Sequence, residues 1–210
     1  RNDQYKGASE TSKSLLKFWF DREHISAEKT FQFFFSQREA IESIIYLYEV
    51  AIATDKYELM RFDSSQRVSG GMFDENWTRY VIKMATGAGK TKVMGLTLVW
   101  SYFHKLYEDN SALSKNFLVI APNIIVLNRL LKDFEGLKMF LNEPFIPDNG
   151  YDHKDWKNDF QLTLHVQDEL KPITESGNVF LTNIHRVFFN EEPEVSFETT
   201  FLGVKPKPDA

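Results

Sequence analysis

The segment that most constrains this chain is Ala85-Thr86-Gly87-Ala88-Gly89-Lys90-Thr91. Before it, Tyr80-Val81-Ile82-Lys83-Met84 is a short apolar run that predicts a strand. After it, Val93, Leu96, Trp100 and Phe103 recur at helical steps and predict a strongly apolar helix. Glycines in a strand-to-helix turn let the backbone approach a ligand closely and turn several N–H groups inward. The helix start adds its positive dipole end. Against the pattern G-x-x-x-x-G-K-[ST], the last three positions match, and Met84 stands where the first glycine would be. The loop therefore reads as a phosphate cradle built from Thr86, Gly87, Ala88 and Gly89. Lys90 reaches the β- and γ-phosphates as a point charge, and the Thr91 hydroxyl is a ligand for Mg2+. The bland reading is a glycine turn ahead of a buried helix with a solvated lysine.

Around this loop, strand and helix patterns alternate. Phe117-Leu118-Val119-Ile120 is a continuous apolar strand ended by Ala121-Pro122. Asn123 is a candidate N-cap, and Ile124 to Phe134 reads as a helix stopped by Gly136. Residues 160–166 alternate like a half-exposed strand, and Val179-Phe180-Leu181 is a buried one. The order predicts an α/β fold, a mostly parallel sheet with helices on both faces. Upstream, Ala40, Ile41, Ile44, Ile45, Leu47, Tyr48 and Ala51 predict a helix beginning near Ser36. Residues 1–36, with Phe-rich clusters at 17–20 and 31–35, read as an N-terminal extension of short helices or an irregular cap. Residues 37–210 then form the main domain, incomplete at its C-terminal end. Residues 62–76 read as a long loop and 205–208 as a linker.

Composition narrows the function. The chain has 210 residues, 25 Lys and Arg against 30 Asp and Glu, a net charge of −5, and no cysteine. That suits one soluble domain and argues against a broad cationic surface, while leaving room for a local strip of nucleic-acid contacts. Disulfides, thiol catalysis and thiolate metal sites are excluded together. The five histidines (24, 104, 153, 165 and 185) show no metal-ligand spacing. The sequence shows no membrane span and no secretory signal.

The wording around the loop carries a resemblance. Met84 to Thr91 resembles motif I of the superfamily 2 helicases and translocases. Ser36-Gln37-Arg38-Glu39-Ala40-Ile41 resembles the glutamine-containing segment upstream of motif I. Phe117 to Asn123 resembles motif Ia, and Phe180-Leu181-Thr182-Asn183-Ile184-His185-Arg186 occupies the next motif position. Within the superfamily, QREAIESIIYLYEV followed by IKMATGAGKTKVM is most similar to the helicase-nuclease (R or Res) subunit of type III restriction enzymes.

The resemblance implies the first RecA-like lobe of an ATP-dependent, Mg2+-requiring DNA motor, with Lys90 as its catalytic residue. It implies that Gln37 reads the adenine edge, with Phe20 upstream as a stacking candidate. Asn123, Thr182, Asn183 and Arg186 would touch the nucleic-acid backbone, with Asn123-Ile124 standing where the family has Thr-Arg. The implied partners are double-stranded DNA, a second RecA-like lobe and a methyltransferase (Mod) subunit, in the cytoplasm and away from any membrane. The acidic pair needed for hydrolysis is expected beyond Ala210, Asp168-Glu169 being read as a solvated turn. The chain alone is therefore expected to bind Mg·ATP weakly and to turn over negligibly. A superfamily 2 DNA or RNA helicase outside restriction is the nearest alternative. A single-lobe P-loop kinase and a nucleotide-binding interaction module are more distant ones.

Overall fold

Helix α4, Lys90–Tyr107, is buried almost all round, through Val93, Leu96, Leu98, Val99, Trp100, Tyr102 and Phe103. A helix without a polar face has to run through the middle of a domain, and the other elements assemble around it. The structure, a computed structural model, describes residues 3–26, 28–63, 67, 69, 78–167, 169 and 171–187. In chain order these give α1 (Glu10–Asp21), β1 (His24–Ser26), β2 (Lys29–Phe31), α2 (Phe35–Ile45) and α3 (Lys56–Met60). After α4 come β3 (Asn116–Ala121), α5 (Ile124–Phe134), α6 (Lys138–Asn142), α7 (Trp156–Asp159), β4 (Thr163–Val166) and β5 (Asn178–Asn183). The 62–76 loop, apart from a few positions, and the 205–208 tail lie outside the described residues.

The N-terminal segment is part of the main core. Helix α1 buries Leu15, Leu16, Phe18 and Trp19 in the same apolar cluster as α4. Trp19 Nε1 donates to the Phe145 carbonyl (2.8 Å), and Trp100 Nε1 of α4 donates to Ser12 Oγ (2.7 Å). Gly95 lets the neighbouring chain close on α4, since a Cβ there would lie 2.7 Å from both Met139 Cε and Phe145 Cε1.

Helix α2 continues into a wide π turn, Tyr46–Val50, in which Ala51 N–H reaches the Tyr46 carbonyl (2.8 Å). That turn presents Glu49 to α1 and α4 at once. Glu49 accepts from Ser9 N–H (2.8 Å), Ser9 Oγ (3.1 Å) and Ser12 Oγ, and it pairs with His104 Nε2 at 3.0 Å. Burial alone would raise its pKa. The hydrogen bonds from His104, Ser12 and the Ser9 N–H outweigh burial and hold the carboxyl below its ordinary range.

Strands β3, β5 and β4 lie side by side in that order, all parallel. Asn123 caps α5 by accepting from Val126 N–H (3.0 Å), so that helix occupies the span its sequence predicts. Val119, Ala121, Val179 and Leu181 of the sheet are buried with Leu127, Leu130 and Phe134 of α5. Register is fixed by a polar rung. Buried Asn178 donates to Asn116 Oδ1 (2.8 Å) and to the Thr174 carbonyl (2.7 Å), and its Oδ1 meets His165 Nε2 at 2.9 Å. A one-residue slip would strand these groups unpaired in the interior.

Two expectations are corrected. Among the described residues, Tyr80–Met84 pairs with no strand. Its neighbourhood is tied to the α2–α3 connection instead: Thr78 Oγ1 donates to the Thr54 carbonyl (2.5 Å) and Tyr80 OH to the Ala53 carbonyl (3.1 Å). Apolar, β-prone residues form a strand only where a neighbouring strand supplies a ladder, and here Val81 is 85% exposed. The β3 run is likewise not buried throughout, because Leu118 on its alternate face is 59% exposed.

The Glu49 cluster gives a stability prediction. A carboxyl held below its ordinary range stabilises the fold above the unfolded-state value, and that stabilisation disappears as pH falls through the folded value. Glu49→Ala should cost about 3 kcal/mol near neutral pH, because it leaves buried donors unpaired. In urea unfolding followed from pH 7 to pH 3, the wild-type advantage over Glu49→Ala should shrink on the acid side. A gap that stays constant over that range would contradict this role.

Candidate functional site

The loop ahead of α4 has the shape its glycines suggest. Gly87 and Gly89 take left-handed conformations (φ 82° and 76°), where a side chain is strained. Ala88 N–H closes a turn onto the Ala85 carbonyl (3.3 Å), and Gly89 is the N-cap residue of α4. Nothing lies within 4 Å of where a Gly87 Cβ would stand, so the space over the loop is open. The Lys92 N–H is taken by the Gly89 carbonyl (2.9 Å), and the N–H groups ahead of it have no acceptor inside the helix. Thr86 and Gly87 are exposed, while Ala88, Gly89 and Thr91 are half-buried. Lys90 is exposed, and its ammonium folds back on the loop, donating to the Ala85 carbonyl (2.9 Å). An open glycine cradle at a helix start with a cation within reach fits a triphosphate. Thr91 is the second residue of that helix.

Gln37 belongs to this cradle as well. It is only 1% exposed. Its Oε1 accepts from Phe34 N–H (2.9 Å), and its own N–H donates to the Phe34 carbonyl (2.9 Å), so it closes the first turn of α2 reciprocally. Its Nε2 donates to the Ala88 carbonyl (3.2 Å), joining α2 to the loop. Phe20 packs edge-on against Phe33 (centroids 5.9 Å apart) with the Arg38 guanidinium 5.1 Å over its ring. Beside the loop, between α2 and residues 79–85, lies a groove of about 920 Å³. Its walls are largely apolar, including Ala40, Ile44, Leu47, Met60 and Ile82, and it reaches Ala85 and Ala88.

The strand-end residues gather separately, at the carboxyl edge of the sheet. Ala121 pairs with Asn183, so Pro122-Asn123 and Ile184 leave neighbouring strands together. Asn123 Oδ1 serves the α5 cap, and the next two residues, Ile124 and Ile125, are exposed. Thr182 Oγ1 and Asn183 N–H both donate to Gln167 Oε1, at 3.4 and 3.2 Å. Arg186 lies exposed in the short turn that follows β5. Gln167 was not among the sequence-level candidates. Parallel pairing of Val166 with Leu181 is what brings it alongside Thr182, and that pairing is a long-range fact. Asp168 lies outside the described residues. Glu169 is exposed, and its hydrogen bond with Lys171 Nζ (2.7 Å) holds its carboxyl below the ordinary range. No cluster of three or more metal-ligating side chains occurs among the described residues.

A glycine cradle opening a central helix, beside a parallel sheet flanked by helices, defines a P-loop lobe of the RecA-like kind. The family model for the type III restriction enzyme res subunit matches residues 30–201, and the chain belongs to that family as a superfamily 2 N-terminal lobe. No curated protein and no solved structure matches the chain. The family is one of helicase-like ATPases. No helix among the described residues is long and apolar enough to cross a membrane.

The contact between Gln37 and the loop can be measured. A Cβ on Gly89 would stand 2.1 Å from Gln37 Nε2, on a residue whose φ is already +76°. Gly89→Ala should therefore destabilise the chain by roughly 2 kcal/mol, about half from the left-handed backbone and half from the displaced amide. In a double-mutant cycle by urea unfolding, adding Gln37→Ala should cost less in the Gly89→Ala background than in wild type. Additive costs would show that the two residues do not share this space.

Proposed function

We propose that this chain is the ATP-binding lobe of a DNA-dependent translocase, the motor part of a type III restriction endonuclease. The observation that carries the reading is the open loop with Lys90 and Thr91 at the head of α4, in a chain of this family. Backbone N–H groups of Thr86, Gly87 and Gly89 and the start of α4 face the triphosphate, while the Ala88 N–H holds the turn onto the Ala85 carbonyl. Lys90 leaves the Ala85 carbonyl to meet the β- and γ-phosphates, and the Thr91 hydroxyl holds Mg2+. Bound Mg·ATP supplies the phosphoryl chemistry that drives the motor. The neighbouring apolar groove receives the base. Gln37 steadies the loop through Ala88 and, being only 1% exposed, has to turn toward the groove to address the adenine edge.

At the carboxyl edge, Asn123, Thr182, Asn183 and Arg186 form the face for the DNA backbone. Short polar side chains and main-chain N–H groups touch phosphates without reading sequence, which suits a chain with a net charge of −5. The whole motor works with a second RecA-like lobe and with a methyltransferase subunit, in the cytoplasm. Residues 37–210 carry the nucleotide and DNA faces, and residues 1–36 brace them.

Titration calorimetry tests the nucleotide site. Mg·ATP should bind the chain, Lys90→Ala should weaken binding at least tenfold, and Thr91→Ala should remove most of the advantage of Mg·ATP over metal-free ATP. ATP turnover by the chain should be at background. Absence of nucleotide binding would sink the reading. Robust hydrolysis abolished by Lys90→Ala would show that the acids lie within this chain.

A further inference from the structure

At the end of β5, one side-chain oxygen holds two donors of neighbouring residues. Gln167 Oε1 accepts from the Asn183 main-chain N–H (3.2 Å) and from the Thr182 hydroxyl (3.4 Å). Both distances lie at or beyond the long end for such bonds, so both are weak. Because they share one acceptor, the two donors converge on a single point at the carboxyl edge of a parallel sheet. That edge is where ligands of α/β folds bind. The local hydrogen bonding is also incomplete, since Asn183 Oδ1 is shielded from solvent and has no hydrogen-bond partner among the described residues.

A main-chain N–H and a hydroxyl aimed at one point suit an oxygen of a phosphodiester. A phosphate oxygen carries charge, and hydrogen bonds to a charged acceptor are shorter and about twice as strong as those to a neutral amide. The Thr182 hydroxyl has one proton. While it is given to Gln167, it cannot be given to DNA.

We propose that Gln167 is a place-holder. Its carboxamide oxygen occupies the seat of a backbone phosphate oxygen in the DNA-free protein and must swing out before DNA binds, which sets DNA affinity by competition. This rests on the reading of Thr182 and Asn183 as DNA contacts. The device costs little. Gln167 lies just past β4 and is only half-buried, so the displaced amide is free to turn to water.

The opposite role is a support that holds the strand end in shape, and the two predict opposite signs. The test is fluorescence anisotropy of a labelled DNA duplex with the 210-residue chain. Gln167→Ala should tighten binding roughly threefold to tenfold, the worth of about one ordinary hydrogen bond, with an unchanged salt slope because no charge is altered. Gln167→Asn, too short to reach the donors, should shift affinity in the same direction. Gln167→Glu supplies a charged and stronger place-holder, so it should weaken binding at pH 7. That loss should persist at pH 5, where a carboxylate accepting two hydrogen bonds stays ionised.

Weaker binding by Gln167→Ala, with Gln167→Glu close to wild type, would overturn the place-holder in favour of a support. Thr182→Val and Arg186→Ala separate this proposal from the reading beneath it. If these weaken binding while Gln167→Ala does not tighten it, the DNA face stands and the place-holder falls. If wild type fails to bind the duplex, or binds it with no loss in either variant, both fall.

Discussion

A side chain that is not there holds the glycine-loop end of this lobe in place. Gly89 has no Cβ, and the space a Cβ would take, 2.1 Å away, is occupied by Gln37 Nε2. That substitution of amide for methyl lets the first turn of α2 and the glycine loop share one hydrogen bond to Ala88. The loop in turn sets the direction of α4, which is buried along most of its length and collects α1 and α2 against its flanks. The far end of α4 is fixed by another shared group. The Glu49 carboxylate gathers Ser9, Ser12 and His104 from the two helices it joins. Two polar hubs, at opposite ends of an apolar helix, therefore orient the residues that would meet a nucleotide.

A second regularity is that groups suited to ligands are engaged by the protein itself. The Lys90 ammonium rests on the Ala85 carbonyl, one Gln37 hydrogen on the Ala88 carbonyl, and the Thr182 and Asn183 donors on Gln167. In each case the acceptor is a neutral amide oxygen. Such bonds satisfy the donors without ordering charge, and a phosphate oxygen outcompetes them because it is charged. The arrangement keeps polar groups satisfied before the ligand arrives and leaves a modest cost of exchange when it does.

Where the fold was legible in the sequence, the determinants were local. Asn123 followed by an apolar helical repeat locates α5, because a cap and a periodic face both act within a few residues. The loop from Thr86 to Thr91 was legible for the same reason. The Asn178 rung, the Glu49 hub and the Gln167 contact were not, since each depends on residues brought together by pairing or packing between distant segments. Tyr80 to Met84 shows the converse. Its composition favours a strand, yet strand propensity expresses the fit of a side chain to a sheet, and no described strand lies beside it. Gln37 is intermediate. Its place beside the loop was readable from the motif order, but not that it would be buried, with its amide already shared between Phe34 and Ala88.

In the proposed function, the loop at 85–91 is the seat of Mg·ATP and Gln37 couples it to α2. Amide hydrogen exchange read by mass spectrometry, with and without saturating Mg·ATP, tests it most directly. Added protection is expected in peptides covering 85–93 and in those covering 34–38, with little change in β4 and β5. Protection absent from 85–93, or centred on the strand ends at 182–186, would contradict it.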